Sequence, residues 1–204
     1  RERRACAACS ASGAKDVLVG AARRRVLAIR PRFSGSYIRR LGEPEGMPYS
    51  YEPHYFEEFE IGEEFISVGR TVTESDFVMH SALSGDWTEL HTNKEYAEEQ
   101  EFGERIAHGP MTFVQATGFV YRTGIVERTA VAFLGMNYMD LPNPVTIGDT
   151  LQLEMEVSEK KELSRDDAGL VVLDCVMENQ EDTVVFEGDM KFLIKREDAE
   201  EDAE

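Results

Sequence analysis

The sequence predicts one α+β domain over residues 47–196, and three observations support this class. A helix-start signature at Thr73 introduces the helices of the first half. The segment Met111–Ile125 is apolar on almost every side, which predicts a buried helix. Stretches of alternating apolar and polar residues follow it and predict strands. Because a helix of this kind has to be covered, we expect an antiparallel sheet wrapped around it.

The charge of the chain changes sign near Gly46. Residues 1–46 contain eleven basic and four acidic residues, whereas the other 158 residues contain eleven basic and 36 acidic residues. The basic segment has three interpretations: a transit peptide, a disordered arm, or translated sequence upstream of a true start at Met47. The abrupt reversal and the absence of an earlier methionine favour the third. We therefore expect neither stable structure nor function in residues 1–46.

The acidic character of the main segment excludes several classes of partner. A nucleic-acid-binding protein needs a basic footprint, which residues 47–204 do not offer. No run approaches the ~20 apolar residues of a membrane-spanning helix. Dense acidic cover with few lysines is typical of proteins that work at very high salt, where charge repulsion is screened within roughly 3 Å. We expect a soluble cytoplasmic protein from a halophilic source, with an ordinary acidic cytosolic protein as the alternative.

The three cysteines predict neither a disulfide framework nor a metal site. An odd, low count suits a reducing cytoplasm. Cys6 and Cys9 have the spacing of a zinc-binding pair, but no second pair of cysteine or histidine residues lies nearby to complete the site. We therefore expect no bound metal.

Local signals predict the elements of the first half in order. A strand is expected over residues 65–72. Thr73 with Asp76 three residues later predicts a capped helix over 74–83. Asn93 is suited to cap a short helix over 94–100.

The second half begins with the long helix and continues with strands. Gly109 and Pro110 suit the start of the helix that runs to Ile125. Four strands are expected after it, as consecutive neighbours in an antiparallel meander. These strands are predicted over residues 131–141, 151–157, 169–178 and 184–194. Residues 197–204 are expected to form an acidic, solvated tail.

Asp86 and His91 are the first candidate functional residues. They lie five residues apart in a segment that Gly85 prevents from being one regular helix. A carboxylate and an imidazole in one loop can both reach a single water, which is an acid/base device. On spacing alone, a capping carboxylate and a structural histidine are the simpler interpretation. For His80 and His108, packing or capping near the helices is expected.

Several blocks of the chain, in the right order, resemble the MaoC-like dehydratases and (R)-specific enoyl-CoA hydratases. That family has Gly-Asp, a spacer, Asn-Pro, an aliphatic residue and His. The matching blocks are Tyr55–Gly62, Ser84–His91, Phe102-Gly103 with Ile106–Gly109, and Pro142 with Val145–Asp149. The resemblance extends from Tyr55 to Lys195. One departure is Thr88-Glu89 in place of Asn-Pro, which concerns the substrate more than the reaction.

The resemblance implies the hotdog fold, an antiparallel sheet around the central helix Pro110–Ile125, and a homodimer or higher homo-oligomer joined at sheet edges. It also implies that Asp86 and His91 hold one water over the C2–C3 bond of an acyl-CoA thioester. Gly109 would donate its backbone N–H to the thioester oxygen. Thr117 occupies the position of a serine that binds substrate. No cofactor is expected beyond the coenzyme A of the substrate.

The function implied is a hydratase/dehydratase that interconverts a 2-enoyl-CoA and an (R)-3-hydroxyacyl-CoA. Two alternatives are a hotdog thioesterase, which directs water at C1, and a non-catalytic acyl-CoA-binding module. Because coenzyme A is anionic, basic residues near the site are candidates to bind it. These candidates are Lys94, Arg105 and Arg122.

Overall fold

The computed structural model describes residues 53–197. The basic segment 1–46, for which we expect no structure, lies outside these residues, and so does the predicted acidic tail after Glu197. Within residues 53–197, no helix has both the length and the apolar character needed to cross a membrane.

The described residues form four α-helices and seven strands, which confirms the α+β class. A short 3-10 helix, Phe56–Glu58, precedes them. The helices are α1 (Glu74–Ser84), α2 (Glu89–Thr92), α3 (Lys94–Glu98) and α4 (Gly109–Thr123). The strands are β1 (Glu64–Ile66), β2 (Arg70–Thr71), β3 (Ala130–Gly135), β4 (Met139–Asp140), β5 (Thr150–Lys161), β6 (Ala168–Glu178) and β7 (Val184–Lys195).

The sheet is antiparallel with the order β1-β5-β6-β7-β3, while β2 also pairs with β5 and β4 also pairs with β7. The prediction of four consecutive neighbours is therefore wrong for one strand. Only β5, β6 and β7 form a meander, and β3 lies beyond β7 at the far edge. One side of β5 is occupied by β1 and β2 and the other by β6, so β3 pairs with the remaining side of β7.

The strand predicted over residues 65–72 is interrupted by Ser67. The Ser67 hydroxyl accepts the Leu153 N–H at 2.9 Å, and the Ser67 N–H donates to the Leu153 carbonyl at 2.9 Å. The side chain of Ser67 thus takes the place of a main-chain acceptor, and the ladder to β5 divides into β1 and β2.

The strand predicted over residues 131–141 is also divided, here by a buried carboxylate. Asp189 on β7 accepts the backbone N–H groups of Asn137 and Tyr138 at 2.7 and 2.9 Å. The Asn137 side chain donates to the same carboxylate. Because these donors turn towards a side chain instead of the β7 backbone, regular pairing stops after β3 and resumes at β4.

Helix α4 packs one face on the sheet and leaves the opposite face open. Four of its buried side chains belong to the hydrophobic core shared with β5, β6 and β7: Met111, Ala116, Phe119 and Val120. The prediction that this helix is buried on most sides is wrong, since Val114 is 52% exposed and Tyr121 is 45% exposed. Phe113 of α4 contacts Phe133 of β3, with 6.2 Å between the ring centroids.

The 3-10 helix is anchored to the sheet through Phe56, which is 1% exposed. Lys160 Nζ and Arg196 Cζ each lie 4.8 Å from the centroid of its ring, so two cations contact one aromatic residue. The ring also lies directly over Gly169 on β6, where a methyl group would overlap it. Glycine is therefore required at position 169, because the Phe56 ring lies too close to the backbone to allow a side chain.

We predict that Gly169→Ala lowers the free energy of unfolding by about 1–3 kcal/mol, because the added methyl group overpacks the Phe56 ring. Denaturant unfolding measures this loss. In a Phe56→Ala background the same substitution should cost much less, since the ring is gone. Equal losses in the two backgrounds would contradict the contact.

Candidate active site

The loop that contains Asp86 begins where α1 ends. Gly85 has φ of 78° and its N–H bonds to the Ser81 carbonyl at 2.9 Å, which terminates the helix. A left-handed residue at this point favours glycine. The chain then leads into α2, a four-residue helix that the sequence did not predict. The loop is thus held between two helix ends.

Thr88 holds the Asp86 carboxylate. Asp86 Oδ1 accepts the Thr88 N–H at 3.0 Å and the Thr88 hydroxyl at 2.5 Å. The hydroxyl first, and then the N–H, lower the pKa of Asp86 below its ordinary value, because both stabilise the charged form. Asp86 is therefore ionised at neutral pH.

Glu89 follows as the first residue of α2 and accepts a hydrogen bond from Asn93 Nδ2 at 2.7 Å. Thr88 and Glu89, the two residues that depart from the Asn-Pro pattern, thus each form a side-chain hydrogen bond within the loop and α2. Where the Asn-Pro pattern has a proline that restricts the backbone, this loop has side-chain hydrogen bonds instead. The sequence could have indicated the first of them, since a donor two residues after an Asp is the spacing of an Asx turn.

His91 lies in α2 with its ring oriented by the main chain. Its Nδ1 lies 2.8 Å from the Ile106 carbonyl oxygen. Because a carbonyl oxygen only accepts, Nδ1 carries the proton, and the Nε2 lone pair is left to accept one. A carboxylate oxygen of Asp86 and one ring nitrogen each of His91 and His108 lie within 4.8 Å of one another. One water could bridge the carboxylate and the imidazole at this distance.

His108 is the residue before α4 and is 1% exposed. Its ring stacks on His91 with 3.8 Å between centroids and 32° between planes. Its Nε2 lies 3.0 Å from the Asp86 carbonyl oxygen. Burial, above all, lowers the pKa of His108, so the ring is neutral. The sequence predicted packing or hydrogen bonding here, and it did not predict contact with both Asp86 and His91.

The geometry of this cluster does not favour a metal ion. A carboxylate and two imidazoles are suitable zinc ligands. However, His91 Nδ1 and His108 Nε2 lie 2.8 and 3.0 Å from backbone carbonyl oxygens, which only accept, so both nitrogens carry a proton. A protonated nitrogen has no lone pair to offer an ion. We therefore interpret Asp86, His91 and His108 as a hydrogen-bonding cluster.

Gly109 opens α4 beside a cavity of about 220 Å³. Its N–H belongs to the first helical turn, where such groups have no acceptor within the helix. A side chain at this position would meet the Leu141 side chain at 3.0 Å, so glycine keeps the approach open. The cavity is mainly apolar, and its lining includes Phe102, Ile106, Leu141, Pro142, Pro144 and Val145.

The other predicted site residues lie further from the pair or are engaged by neighbours. Thr117 is eight residues after Gly109, about 12 Å along α4, and its hydroxyl donates to the Val114 carbonyl at 2.7 Å. Arg105 forms a bidentate pair with Glu74 at 2.8 and 2.5 Å.

Lys94 and Arg122 do not join the cluster either. Lys94 lies 3.4 Å from Glu98 on the exposed face of α3. Arg122 is in the last turn of α4, about 20 Å along the helix from Gly109, with its guanidinium 6.0 Å from the Phe119 ring centroid. The structure therefore brings Asp86, His91 and Gly109 into one region, pairs Lys94 and Arg105 with acidic residues, and places Arg122 at the other end of α4.

Comparisons with known proteins bear on the family and the fold. A family profile described as a MaoC like domain matches residues 57–175. Protein MaoC of Klebsiella aerogenes is 37% identical over 106 residues, which are 52% of this chain and 31% of that protein. The chain thus spans about a third of that relative. The (R)-specific enoyl-CoA hydratase of Rhodospirillum rubrum is 31% identical over 106 residues, which are 52% of this chain and 70% of that protein.

A solved structure shows the same fold. The R-hydratase PhaJ1 from Pseudomonas aeruginosa has a TM-score of 0.60 and 27% identity, over 70% of this chain and 86% of that chain. This likeness confirms the hotdog fold expected from the sequence.

We predict that Thr88→Val raises the pKa of Asp86 towards its ordinary value. The variant keeps the backbone N–H but loses the hydroxyl that contributes most to the lowered pKa. Thr88→Ser keeps the hydroxyl and serves as the matched control. Carboxyl-carbon NMR titration of Asp86 measures both, and identical titrations in the two variants would contradict the role of the hydroxyl.

Proposed function

Because this chain belongs to the MaoC-like dehydratase family, we propose that it is a hydratase that interconverts a 2-enoyl-CoA and an (R)-3-hydroxyacyl-CoA. One observation carries the proposal. The ionised Asp86 carboxylate and a ring nitrogen of His91 lie within 4.8 Å of each other, a distance that one water can bridge. Two such groups on one water suit acid/base addition across a double bond.

In the proposed hydration, the water oxygen forms a bond to C3 while one of its protons passes to the Asp86–His91 pair. The pair returns a proton to C2, so the net change is the addition of one water. Since both groups lie within reach of one water, each proton is assigned to the pair. Dehydration is the reverse of these steps.

Negative charge develops on the thioester oxygen during the reaction. Gly109 is the proposed donor, because its N–H lies in the first turn of α4, where the helix dipole adds partial positive charge. The apolar cavity beside Gly109 would take part of the acyl group. Thr117, further along the same helix, is the proposed polar contact to the substrate.

We further propose a homodimer joined through β3 and the open face of α4. Strand β3 lies at the edge of the sheet, and an unpaired edge invites association. Apolar side chains are exposed on both elements, including Val131, Leu134, Val114 and Tyr121. An exposed apolar surface of this kind indicates an interface, and a two-fold contact is the commonest arrangement.

We expect Asp86→Asn and His91→Ala each to lower the rate of crotonyl-CoA hydration by about 10²–10⁴-fold. Loss of the conjugated double bond, followed by absorbance in molar KCl, measures the rate. Asp166→Asn removes an exposed carboxylate from the β5–β6 connection and should leave the rate unchanged.

Full activity in both variants would rule out the mechanism. Release of free coenzyme A, detected with a thiol reagent, would instead identify a thioesterase. Binding of the thioester without any turnover would identify an acyl-CoA-binding module.

We expect Leu134→Lys to convert the dimer to a monomer, because it places a charge on the exposed apolar edge of β3. Light scattering after size-exclusion chromatography measures the mass. Ile61→Lys, which changes an equally apolar, 68% exposed residue in the turn before β1, is the control. A dimer that survives Leu134→Lys but not Ile61→Lys would place the interface elsewhere.

A further inference from the structure

We propose that His108 is a positioning residue that holds both Asp86 and His91 in place through one neutral imidazole ring. The inference rests on the function proposed above. It concerns a residue that need not touch the substrate, because its side chain is buried beneath the pair.

The hydrogen bonds of His108 define its tautomer. Nε2 lies 3.0 Å from the Asp86 carbonyl oxygen and 3.3 Å from the Ser81 hydroxyl. Because the carbonyl oxygen only accepts, Nε2 must carry the proton. A single N–H thus ties the backbone of the catalytic loop to His108, and Ser81 ties the same ring to α1. The position of the Asp86 backbone depends on this bond.

The face of the ring restrains His91. The two ring centroids lie 3.8 Å apart with their planes tilted by 32°, and His91 is also restrained by its Nδ1 bond to the Ile106 carbonyl. That bond sets which nitrogen is protonated, while the close ring contact limits rotation of the His91 ring about the bond to its Cβ. Together they direct the His91 Nε2 lone pair to one place.

The charge of His108 matters for the same reason. Three ionisable groups face its ring: His80 of α1, whose centroid is 4.7 Å away, His91 of α2, and Asp86. Burial lowers the pKa of His108 most, the bond to the Asp86 backbone and the Asp86 charge raise it, and the other two imidazoles lower it, so that the net shift is downward. A protonated His108 would place a cation against the ring that has to accept a proton. The neutral form is therefore the form that permits acid/base work by His91.

Two substitutions separate hydrogen bonding from packing. His108→Gln keeps an N–H donor at similar reach but removes the ring. His108→Phe keeps a ring of similar size but removes the donor. Each variant keeps one restraint and loses the other, so both should lose about 10–100-fold in kcat with little change in KM. Full kcat in the Gln variant would show that the ring face does not position His91, and full kcat in the Phe variant would show that the N–H does not position Asp86; either result would overturn the proposal.

Trp87 provides a readout that does not depend on activity. It is the only tryptophan of the chain, follows Asp86 directly, and is 55% exposed. Loss of the His108 donor should free the loop, so acrylamide quenching of Trp87 should rise in the Phe variant and not in the Gln variant. If the wild type hydrates no enoyl-CoA, the proposed function fails. The comparison of Trp87 quenching between the Phe and Gln variants still tests the positioning role.

The wild-type protein supplies a second test that does not require a variant to fold. Nitrogen-15 NMR of the imidazoles should show His108 protonated at Nε2 and His91 protonated at Nδ1. Protonation of His108 at Nδ1 near neutral pH would overturn the proposal, since the bond to the Asp86 carbonyl could not then exist.

Discussion

The hydrogen bond from His91 Nδ1 to the Ile106 carbonyl oxygen is the contact on which the arrangement of the site depends. Ile106 is itself held by the sheet, because it bridges to Thr146 and the next residue donates its N–H to the Val145 carbonyl at 2.7 Å. Asp149, just before β5, accepts the Thr146 N–H at 2.7 Å. These hydrogen bonds connect the start of β5 to the His91 imidazole. The sheet therefore fixes the position of a side chain that is carried by the short helix α2.

Much of the fold could be predicted because its signals are local. The Asp76 carboxylate accepts the N–H of Thr73, so the predicted cap of α1 is correct. Gly109 and Pro110 do open the long helix. The β5–β7 meander follows from alternating residues and short turns. Asp86 and His91 are candidates because of the order of several sequence blocks, since their spacing alone does not distinguish a site from a turn.

Other features could not be predicted because they depend on partners distant in sequence. Arg105 bonds to Glu74, thirty-one residues away, and no pattern within either segment indicates the pair. The Ser67 hydroxyl, in place of a backbone carbonyl, accepts the Leu153 N–H of β5, which no alternation pattern can reveal. His108 can contact both Asp86 and His91 only because α1, α2 and the start of α4 lie close together in the fold. The position of β3 depends on which sides of β5 and β7 are already paired.

Glu89, in place of the usual proline, has a consequence for the conformational entropy of the unfolded chain. Proline at the first position of a helix restricts the backbone before folding, which is worth about 0.4–1 kcal/mol. Glu89 offers no such restriction, so ordering α2 costs correspondingly more. The bonds from Thr88 to Asp86 and from Asn93 to Glu89 offset that cost. Both hydrogen bonds are exposed, so water can replace them. The conformational order of this loop therefore falls more steeply with rising temperature than that of a loop restricted by a proline.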